Sequence, residues 1–182
     1  MEYFNVYTQF GEKTDEIVER NTAHKNGTCH RVFHLWIVNS DNQILVQQRS
    51  AEKDTGANLW YVSVGGHIAG GETIEQAITR ETKEEIGIDI SNVLNKTQYL
   101  YSFKECTYDK NSNITDDEFY DVFVLKLDIP INKVVMQESE VQAVKYMNYN
   151  DFKSEILNAE SSFVSHETAY EMLVLTLDNY LS

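Results

Sequence analysis

The chain has 182 residues, and its 29 acidic against 15 basic side chains give a formal net charge of −14. A hydrophobic content of 42% with 12% aromatic residues excludes a wholly disordered chain, and the length is that of one domain over residues 1–182. The acidic balance excludes a nucleic acid polymer as the expected partner, because binding to DNA or RNA depends largely on Lys and Arg side chains that neutralise phosphates.

The sequence also indicates a compartment. No run of about 18 apolar residues occurs, so no membrane-spanning segment is predicted. The N-terminal MEYFNVYTQF lacks the basic start and the apolar stretch of a signal peptide. The two cysteines, Cys29 and Cys106, form no CxxC pair. We therefore expect a cytoplasmic protein with two free thiols, of which Cys106 is buried. The sequence leaves a homodimer open.

The predicted fold class is α+β, with a mixed sheet covered by helices. Residues 1–29 form an N-terminal extension, with a short strand at 3–8 and an irregular polar segment at 11–27. The predicted sheet strands are rich in β-branched and aromatic residues and are bounded by turn residues; they span residues 30–39, 43–49, 60–64, 98–107, 119–128 and 141–147. A polar loop at 109–117 joins the fourth of these strands to the fifth.

Helices are predicted at 73–86, 150–159 and 165–180. Thr73 and Gln76 have the spacing of a capping box at the start of the first helix, and Gly87 lies where that helix ends. The last helix carries apolar side chains at the spacing typical of a helix that covers a sheet: Tyr170, Leu173, Val174 and Leu177. The sheet with its first helix therefore occupies 30–149, and the C-terminal helices occupy 150–182.

The helix at 73–86 has an apolar face that turns acidic. At about 100° per residue, its first half places Ile74, Ala77 and Ile78 on one side. The same side of its second half holds three carboxylates at i, i+3 and i+4: Glu81, Glu84 and Glu85. Like charges at this spacing repel, and carboxylates beside apolar side chains lose hydration, so a divalent cation with oxygen ligands would offset the cost. A solvated acidic face without a ligand is the alternative.

A glycine-rich loop precedes this helix and lets backbone groups approach a ligand closely. The loop is predicted at 65–71 and contains Gly65, Gly66, Gly70 and Gly71. The stretch Gly66-x5-Glu72-x7-Arg80-Glu81-Thr82-x-Glu84-Glu85-x-Gly87-Ile88 resembles the Nudix box, the signature of the Nudix hydrolase family. Thr82 departs from the aliphatic residue usual at its position. The resemblance implies a Nudix-type α/β/α sandwich that hydrolyses a diphosphate linked to another group, with a small phosphorylated substrate and Mg²⁺ or Mn²⁺ as cofactor.

The resemblance also implies roles for individual residues. The implied metal ligands are the box glutamates, a loop carbonyl and a carboxylate from a neighbouring strand: Glu81, Glu84, Glu85, Gly65 and Glu118. Glu81 is alternatively the base that activates water, and Arg80 holds a glutamate in place, here Glu84 at i+4. The candidate substrate-binding residues are three cations and a loop glycine: Arg49, Lys53, Lys104 and Gly66.

Residues 20–150 are further similar to a Nudix subgroup that resembles isopentenyl-diphosphate isomerase. Arg49, Lys53 and Trp60 fit the subgroup pattern QxRS-x2-K-x6-W, which leads to a Gly-His pair. The isomerase has a metal site of three histidines and two acids, which implies a second metal site near the matching positions His24, His30, His67, Asp116 and Glu118. Ordinary polar or core residues at these positions are the alternative.

Two departures favour a hydrolase over the isomerase. The isomerase uses a cysteine just before the Gly-His pair, where this chain has Gly65. The isomerase also lets its Nudix box degenerate, whereas this box is intact. A binding module that senses a diphosphate ligand without cleaving it is a third hypothesis, against which the intact box glutamates argue. A metal-dependent phosphate-release assay separates the three.

Overall fold

A mixed seven-stranded sheet forms the centre of the computed structural model, which describes residues 2–110 and 112–182, without the side chains of residues 167 and 168. The strands of this sheet are β3 (His30–Val38), β4 (Gln43–Arg49), β5 (Trp60–Tyr61), β6 (Val64–His67), β7 (Gln98–Asp109), β8 (Ile114–Lys126) and β9 (Val141–Asn148). Their order is β5-β4-β3-β8-β7, with β6 also paired to β3 and β9 to β4. The β3–β8 pair is parallel and the other pairs are antiparallel, so the predicted mixed sheet is confirmed.

Helices cover both faces of the sheet. The helices are α1 (Arg20–Asn26), α2 (Ile74–Ile86), α3 (Tyr149–Ile156) and α4 (Glu167–Leu181). Successive residues of β3 face opposite sides, as strand geometry requires. Leu35 and Ile37 pack with Ile78 of α2 in one core, whereas Trp36 packs with Phe152 of α3 and Leu173 of α4 in the other core. This layering confirms the α+β prediction and puts the first helix and the C-terminal helices on opposite faces.

The sequence signals that delimit α2 act as predicted. The hydroxyl of Thr73 accepts from the backbone N–H of Gln76, and the Gln76 side chain accepts from the backbone N–H of Thr73, which completes the capping box. Gly87 ends the helix in the left-handed region at a φ of 72°. A Cβ there would lie 2.8 Å from Cβ of Val135, so both the backbone conformation and the packing require glycine.

The prediction for residues 11–27 is wrong. These residues form strand β2 (Lys13–Glu19), which pairs with β1 (Tyr3–Tyr7) in a separate two-stranded sheet, and helix α1. Strand β2 is mostly exposed on both faces, so its sequence lacks the alternation of apolar and polar residues that marks a half-buried strand. Helix α1 has only seven residues; it begins at the Glu19 cap and ends at Gly27 in the left-handed region.

The boundaries of two predicted loops and the burial of one cysteine side chain also differ from the prediction. The segment predicted as a loop at 65–71 begins as strand β6, and the loop predicted at 109–117 is shorter because β7 continues to Asp109 and β8 begins at Ile114. Glycine is depleted in strands, which is why the sequence of β6 does not indicate one. Cys106 is exposed rather than buried, whereas Cys29 is buried; both are free, as predicted. In the described part of the chain, none of the helices has the length and apolarity needed to cross a membrane.

Thr82, the departure from the Nudix box, is fully buried, and its hydroxyl donates to the carbonyl of Ile78 at 2.6 Å. We expect Thr82→Val to change the melting temperature by less than about 3 °C, because valine keeps the volume and leaves no buried donor unpaired. Thr82→Ser, which keeps the hydroxyl but loses a buried methyl group, should cost about 1 kcal/mol. Thermal denaturation of both variants checks this; a larger loss for valine than for serine would contradict it.

Candidate functional site

One cavity of about 1210 Å³ brings together most of the residues predicted from the sequence. Those that line it are His24, Arg49, Lys53, Gly65, Gly66, His67, Arg80, Glu81, Glu84, Glu85, Asp116 and Glu118. His30 is fully buried and contacts the cavity residue Glu118. Lys104 does not line the cavity. It pairs instead with Asp117, and its ammonium lies 5.8 Å from the centre of the Phe119 ring, because it faces the opposite side of β7 from Glu105.

The three glutamates on the acidic face of α2 differ in how far their side chains are exposed to solvent. Glu85 is buried, and one of its carboxylate oxygens accepts from Nε2 of Gln47 at 2.9 Å and from the backbone N–H of Gly65 at 3.4 Å. Burial raises the pKa of Glu85 to about 8, and the charge of Glu81 adds to this shift. Burial also raises the pKa of Glu81. The side chain of Glu84 is 51% exposed and lies at the cavity surface.

The glycines of β6 make room for these carboxylates. A Cβ on Gly66 would lie 2.5 Å from Cδ of Glu81, which is far below van der Waals contact. A Cβ on Gly65 would lie 2.9 Å from Cγ1 of Val62, a fully buried side chain. The two glycines are therefore needed for the close packing of the β6 backbone against α2 and the core, and only Gly66 is needed for Glu81 itself.

Arg80 organises the carboxylates around it. Its guanidinium donates from Nε and Nη2 to the two oxygens of Glu72, both at 2.9 Å, which is a bidentate pair. Nη1 donates to Glu81 at 2.6 Å and to Glu84 at 3.2 Å. The predicted contact with Glu84 is present, but Glu72 makes the stronger geometry. Arg80 also donates to the carbonyl of His67 at 3.2 Å, which ties α2 to β6.

The residues of the predicted second metal site also lie close together in the structure. One ligand atom from each of His24, His30, His67 and Glu118 lies within 4.8 Å of the others. The Nε2 atoms of the three histidines are buried and have no hydrogen-bond partner. Nε2 of His30 lies 3.0 Å and Nε2 of His67 lies 3.2 Å from Oε1 of Glu118. Asp116 lies 3.8 Å from Nε2 of His24. We call these five residues the histidine centre.

Neighbouring groups fix the rings of the histidine centre. Phe4 stacks on His30 and His67 with ring centres 4.6 and 4.5 Å apart. His30 donates from Nδ1 to the carbonyl of Thr28 at 2.8 Å, so its Nε2 carries a lone pair when the ring is neutral. That lone pair lies 3.0 Å from a carboxylate oxygen, a contact that repels unless a proton or a metal ion lies between them. The geometry therefore calls for a proton or a metal ion at this point. Burial lowers the pKa of His30, but a hydrogen bond from the protonated ring to Glu118 and the charge of Glu118 outweigh burial and raise it overall, so a proton can take this place.

The electrostatics of the centre agree with this geometry. Burial lowers the pKa of His24 to about 3, with further lowering by the other two histidines, so its ring is neutral near pH 7. Burial, with the charge of Glu118, raises the pKa of Asp116 to about 6. His67 differs, because Arg20 donates to its Nδ1 at 3.1 Å and leaves the hydrogen of the neutral ring on Nε2. Arg20 also donates to Glu2 at 2.8 Å, a contact that remains if it releases His67.

Several cavity residues do not stand out in the sequence. His34, Tyr61, Glu105, Tyr120 and His166 line the cavity, and His166 comes from the segment just before α4. Isolated histidines and strand aromatics are most often core residues, so neither spacing nor composition marks these. The hydroxyl of Tyr120 donates to Oε2 of Glu118 at 2.5 Å, which links this group to the histidine centre.

A model of the NUDIX domain matches residues 28–166 of the chain. The chain belongs to the Nudix family. The match includes the Nudix box, with α2 as the Nudix helix, and reaches His166 at the cavity. It leaves out the hairpin of β1 and β2, helix α1 and all of α4, so His24 of the histidine centre lies outside it.

The relatives of this chain include proteins named Nudix hydrolase and proteins named isopentenyl-diphosphate Delta-isomerase. Nudix hydrolase 3 of Arabidopsis thaliana is 32% identical over 169 residues; these cover 91% of this chain but only 22% of that protein. The isopentenyl-diphosphate Delta-isomerase of Salmonella heidelberg is 31% identical over 144 residues, which cover 79% of this chain and 74% of that enzyme. A crystal structure of a protein from Deinococcus radiodurans superposes with a TM-score of 0.71 at 21% identity, over 93% of this chain and 98% of that one, which shows the shared fold.

The raised pKa of Glu85 predicts how metal-free protein responds to pH. Its folded value of about 8 exceeds the unfolded value of 4.5, so stability from this group is present at low pH and is lost as the pH rises through about 8. Glu85→Gln removes this loss and keeps an oxygen for Gln47. We expect the variant to melt at least about 3 °C higher than wild type near pH 9, but not near pH 5.

Glu75→Gln is the matched control, because Glu75 lies exposed on the same helix. Melting curves across the pH range, recorded in a chelator, give the comparison. If Glu85→Gln and Glu75→Gln follow the wild-type pH dependence equally, the buried carboxylate does not titrate as described.

Proposed function

We propose that the protein is a divalent-cation-dependent hydrolase that cleaves a diphosphate linked to another moiety. The observation that supports this most is the buried carboxylate of Glu85, held by Gln47 under the glycines of β6 and beside Glu81. A buried carboxylate costs free energy that a bound cation offsets, and catalytic sites hold such groups.

The residues on the acidic face of α2 fit Mg²⁺ or Mn²⁺. Glu81, Glu84 and Glu85 offer carboxylate oxygens, which these hard cations prefer, and the carbonyl of Gly65 is proposed as a further ligand. When bound, such an ion neutralises phosphate oxygens and lowers the pKa of a coordinated water. The burial of Glu85 and the packing of Glu81 against Gly66 would hold the ligands before the ion arrives.

The histidine centre fits a second cation, since three imidazoles with two carboxylates suit Mn²⁺ or another transition metal ion better than Mg²⁺. The three unpartnered Nε2 atoms support this proposal. His30 presents Nε2 as a bare nitrogen when its ring is neutral, whereas His67 would have to change its tautomer once Arg20 donates only to Glu2.

Other residues are proposed to bind and orient the substrate. Arg49 and Lys53 line the cavity, where a phosphate would compete with Glu140 for the ammonium of Lys53. Gly66 of strand β6 is also proposed to contact the substrate through its backbone, beside the carboxylate of Glu81. Glu81 is the proposed base, because a raised pKa makes a carboxylate better able to accept a proton from water. Arg80 positions Glu81 and is a positioning residue.

The remaining proposals concern the setting of the reaction. We propose one domain over residues 1–182, a cytoplasmic location, and a small phosphorylated substrate rather than a nucleic acid polymer. Two free cysteines and the net charge of −14 support the last two. A homodimer stays open.

An isomerase is the second candidate, favoured by the histidine centre and by the 31% identity to the Salmonella heidelberg enzyme. The structure adds a physical reason against it. A side chain at residue 65 would overlap Val62, and neither Cys29 nor Cys106 is among the described residues that line the cavity. The thiol expected of the isomerase therefore has no counterpart there.

Variants of the box glutamates test the hydrolase. We expect Glu84→Gln and Glu85→Gln to lower phosphate release by about 10² to 10⁴-fold, the range for groups that act on transition-state charge or proton transfer. Mg²⁺ or Mn²⁺ should raise the melting temperature of wild type, and of these variants much less. Glu75→Gln is the control and should behave as wild type. Equal metal-induced shifts in all four proteins, or metal binding without release from any diphosphate, would contradict the hydrolase; the latter would favour the binding module.

The isomerase has its own test. We expect no deuterium to enter the product when the metal-loaded protein is incubated with isopentenyl diphosphate in deuterated water, because no thiol lies at the Gly65 position. Mass spectrometry of the recovered diphosphate gives the answer, with phosphate release measured in the same sample. Labelled dimethylallyl diphosphate would favour the isomerase.

A further inference from the structure

The cavity has a second polar feature beside the histidine centre. Five aromatic rings surround His166, with centres 5.3 to 5.9 Å from its own: His34, Tyr61, Phe103, Tyr120 and Tyr170. We call these six residues the aromatic nest. His166 is 5% exposed, and His34, Tyr61, Tyr120 and His166 line the cavity. The nest is thus an aromatic-walled part of the same cavity that holds the box glutamates.

Only one of the two ring nitrogens of His166 has a hydrogen-bond partner among the described residues. Its Nδ1 lies 2.5 Å from a carboxylate oxygen of Glu105, which as a carboxylate accepts but cannot donate. Nδ1 therefore carries a hydrogen, and Nε2 is an acceptor when the ring is neutral. Nε2 is buried and has no hydrogen-bond partner. The side chain does not cap α4, although its carbonyl accepts from the N–H of Tyr170.

The hydroxyls of the nest are already used. Tyr61 and Nε2 of His34 are 2.6 Å apart, Tyr170 donates to the carbonyl of Val164 at 2.7 Å, and Tyr120 donates to the histidine centre. None of these donors is left for His166. Since buried polar atoms in folded proteins are almost always paired, an unpaired Nε2 on a residue that lines the cavity points to a donor from outside the chain, which is a ligand or a water molecule.

We propose that Nε2 of His166 accepts a hydrogen bond from a hydroxyl or N–H group on the moiety joined to the diphosphate, so that the substrate is a polar-substituted rather than a purely hydrocarbon diphosphate. The inference rests on the proposed function for the diphosphate end. A prenyl chain against His166 would leave the buried nitrogen unpaired, whereas a donor-bearing group would pair it and pack against the rings. His166 is thus a specificity-determining residue.

Two matched pairs of compounds separate the two kinds of donor. The hydroxyl pair is dimethylallyl diphosphate and its 4-hydroxy derivative, and the N–H pair is uridine diphosphate and its N3-methyl derivative. Dissociation constants from titration calorimetry with metal-loaded protein give the preference whether or not a compound is cleaved, and phosphate release is followed separately. We expect the donor-bearing member of at least one pair to bind about 10-fold or more tightly.

Two substitutions test whether His166 causes the preference for the donor-bearing compound. His166→Phe keeps the ring but removes the acceptor, and should bring the ratio within the preferred pair close to one by weakening only the donor-bearing member. His166→Gln places an amide oxygen where it can accept, and should keep most of the preference. Both variants should retain the metal-induced melting shift of wild type.

Equal dissociation constants within both pairs, failure of all four compounds to bind, or a His166→Phe variant that keeps the wild-type ratio would each overturn the role of His166. Absence of phosphate release from every compound, with the binding preference intact, would instead overturn the proposed hydrolysis and leave the role of His166 standing. The two failures are therefore distinguishable.

Discussion

The position of β3 in the sheet is the constraint on which both polar centres depend. Its pairing with β8 is parallel, and the register sets His30 beside Glu118 and His34 beside Val122. On its other side the first half of β3 pairs with β6, which places Gly66 opposite Phe33 and His67 opposite Val32. A shift of either register by one residue would turn every side chain to the opposite face and would separate the ligands of the histidine centre.

This arrangement lets two chemically different sets of proposed metal ligands share one cavity. The histidine centre lies on the sheet face that α4 covers, since its strand residues His30 and Glu118 have the same parity as His34 and Tyr120. The carboxylates come from α2, which packs on the opposite face, and they reach the cavity past the glycines of β6. Because the glycines carry no side chain, the sheet does not separate the two sets. Arg80 contacts Glu81 and Glu84 of α2 and the carbonyl of His67, and it therefore joins the two sets physically.

The sequence predicts well what local rules determine. The capping box of Thr73, the stop at Gly87 and the change from apolar to acidic residues along α2 are all short-range patterns, and the structure has them. Strand β2 and helix α1 escape prediction because one is polar on both faces and the other is only one or two turns long, so neither has a readable period. The failures at Lys104 and His166 have another cause. Packing between segments far apart in the chain decides which face of β7 lines the cavity. It also decides which residue of the segment after α3 lines the cavity.

The same distinction between short-range patterns and long-range packing applies to the site itself. The fixed spacing of the motif predicts the box residues, whereas the residues of the histidine centre are predicted from the resemblance to the isomerase subgroup. The bare nitrogen of His166 is visible only once Glu105 and five rings are seen around it, since no interval connects β7 with the start of α4. Residues that contact the variable part of a ligand come from such unconnected places, and this is why a family signature names a reaction more readily than its substrate.

The contact between residue 65 and Val62 has a consequence for how this branch of the family could diversify. Val62 is fully buried and stiff about its χ1 bond, so it cannot turn away to admit a Cβ 2.9 Å from its methyl group. A thiol at residue 65 would therefore have to follow, or accompany, a reduction in size at residue 62. Residues 62 and 65 are therefore coupled in size, and the volume of the side chain at 62 sets which side chains residue 65 can carry.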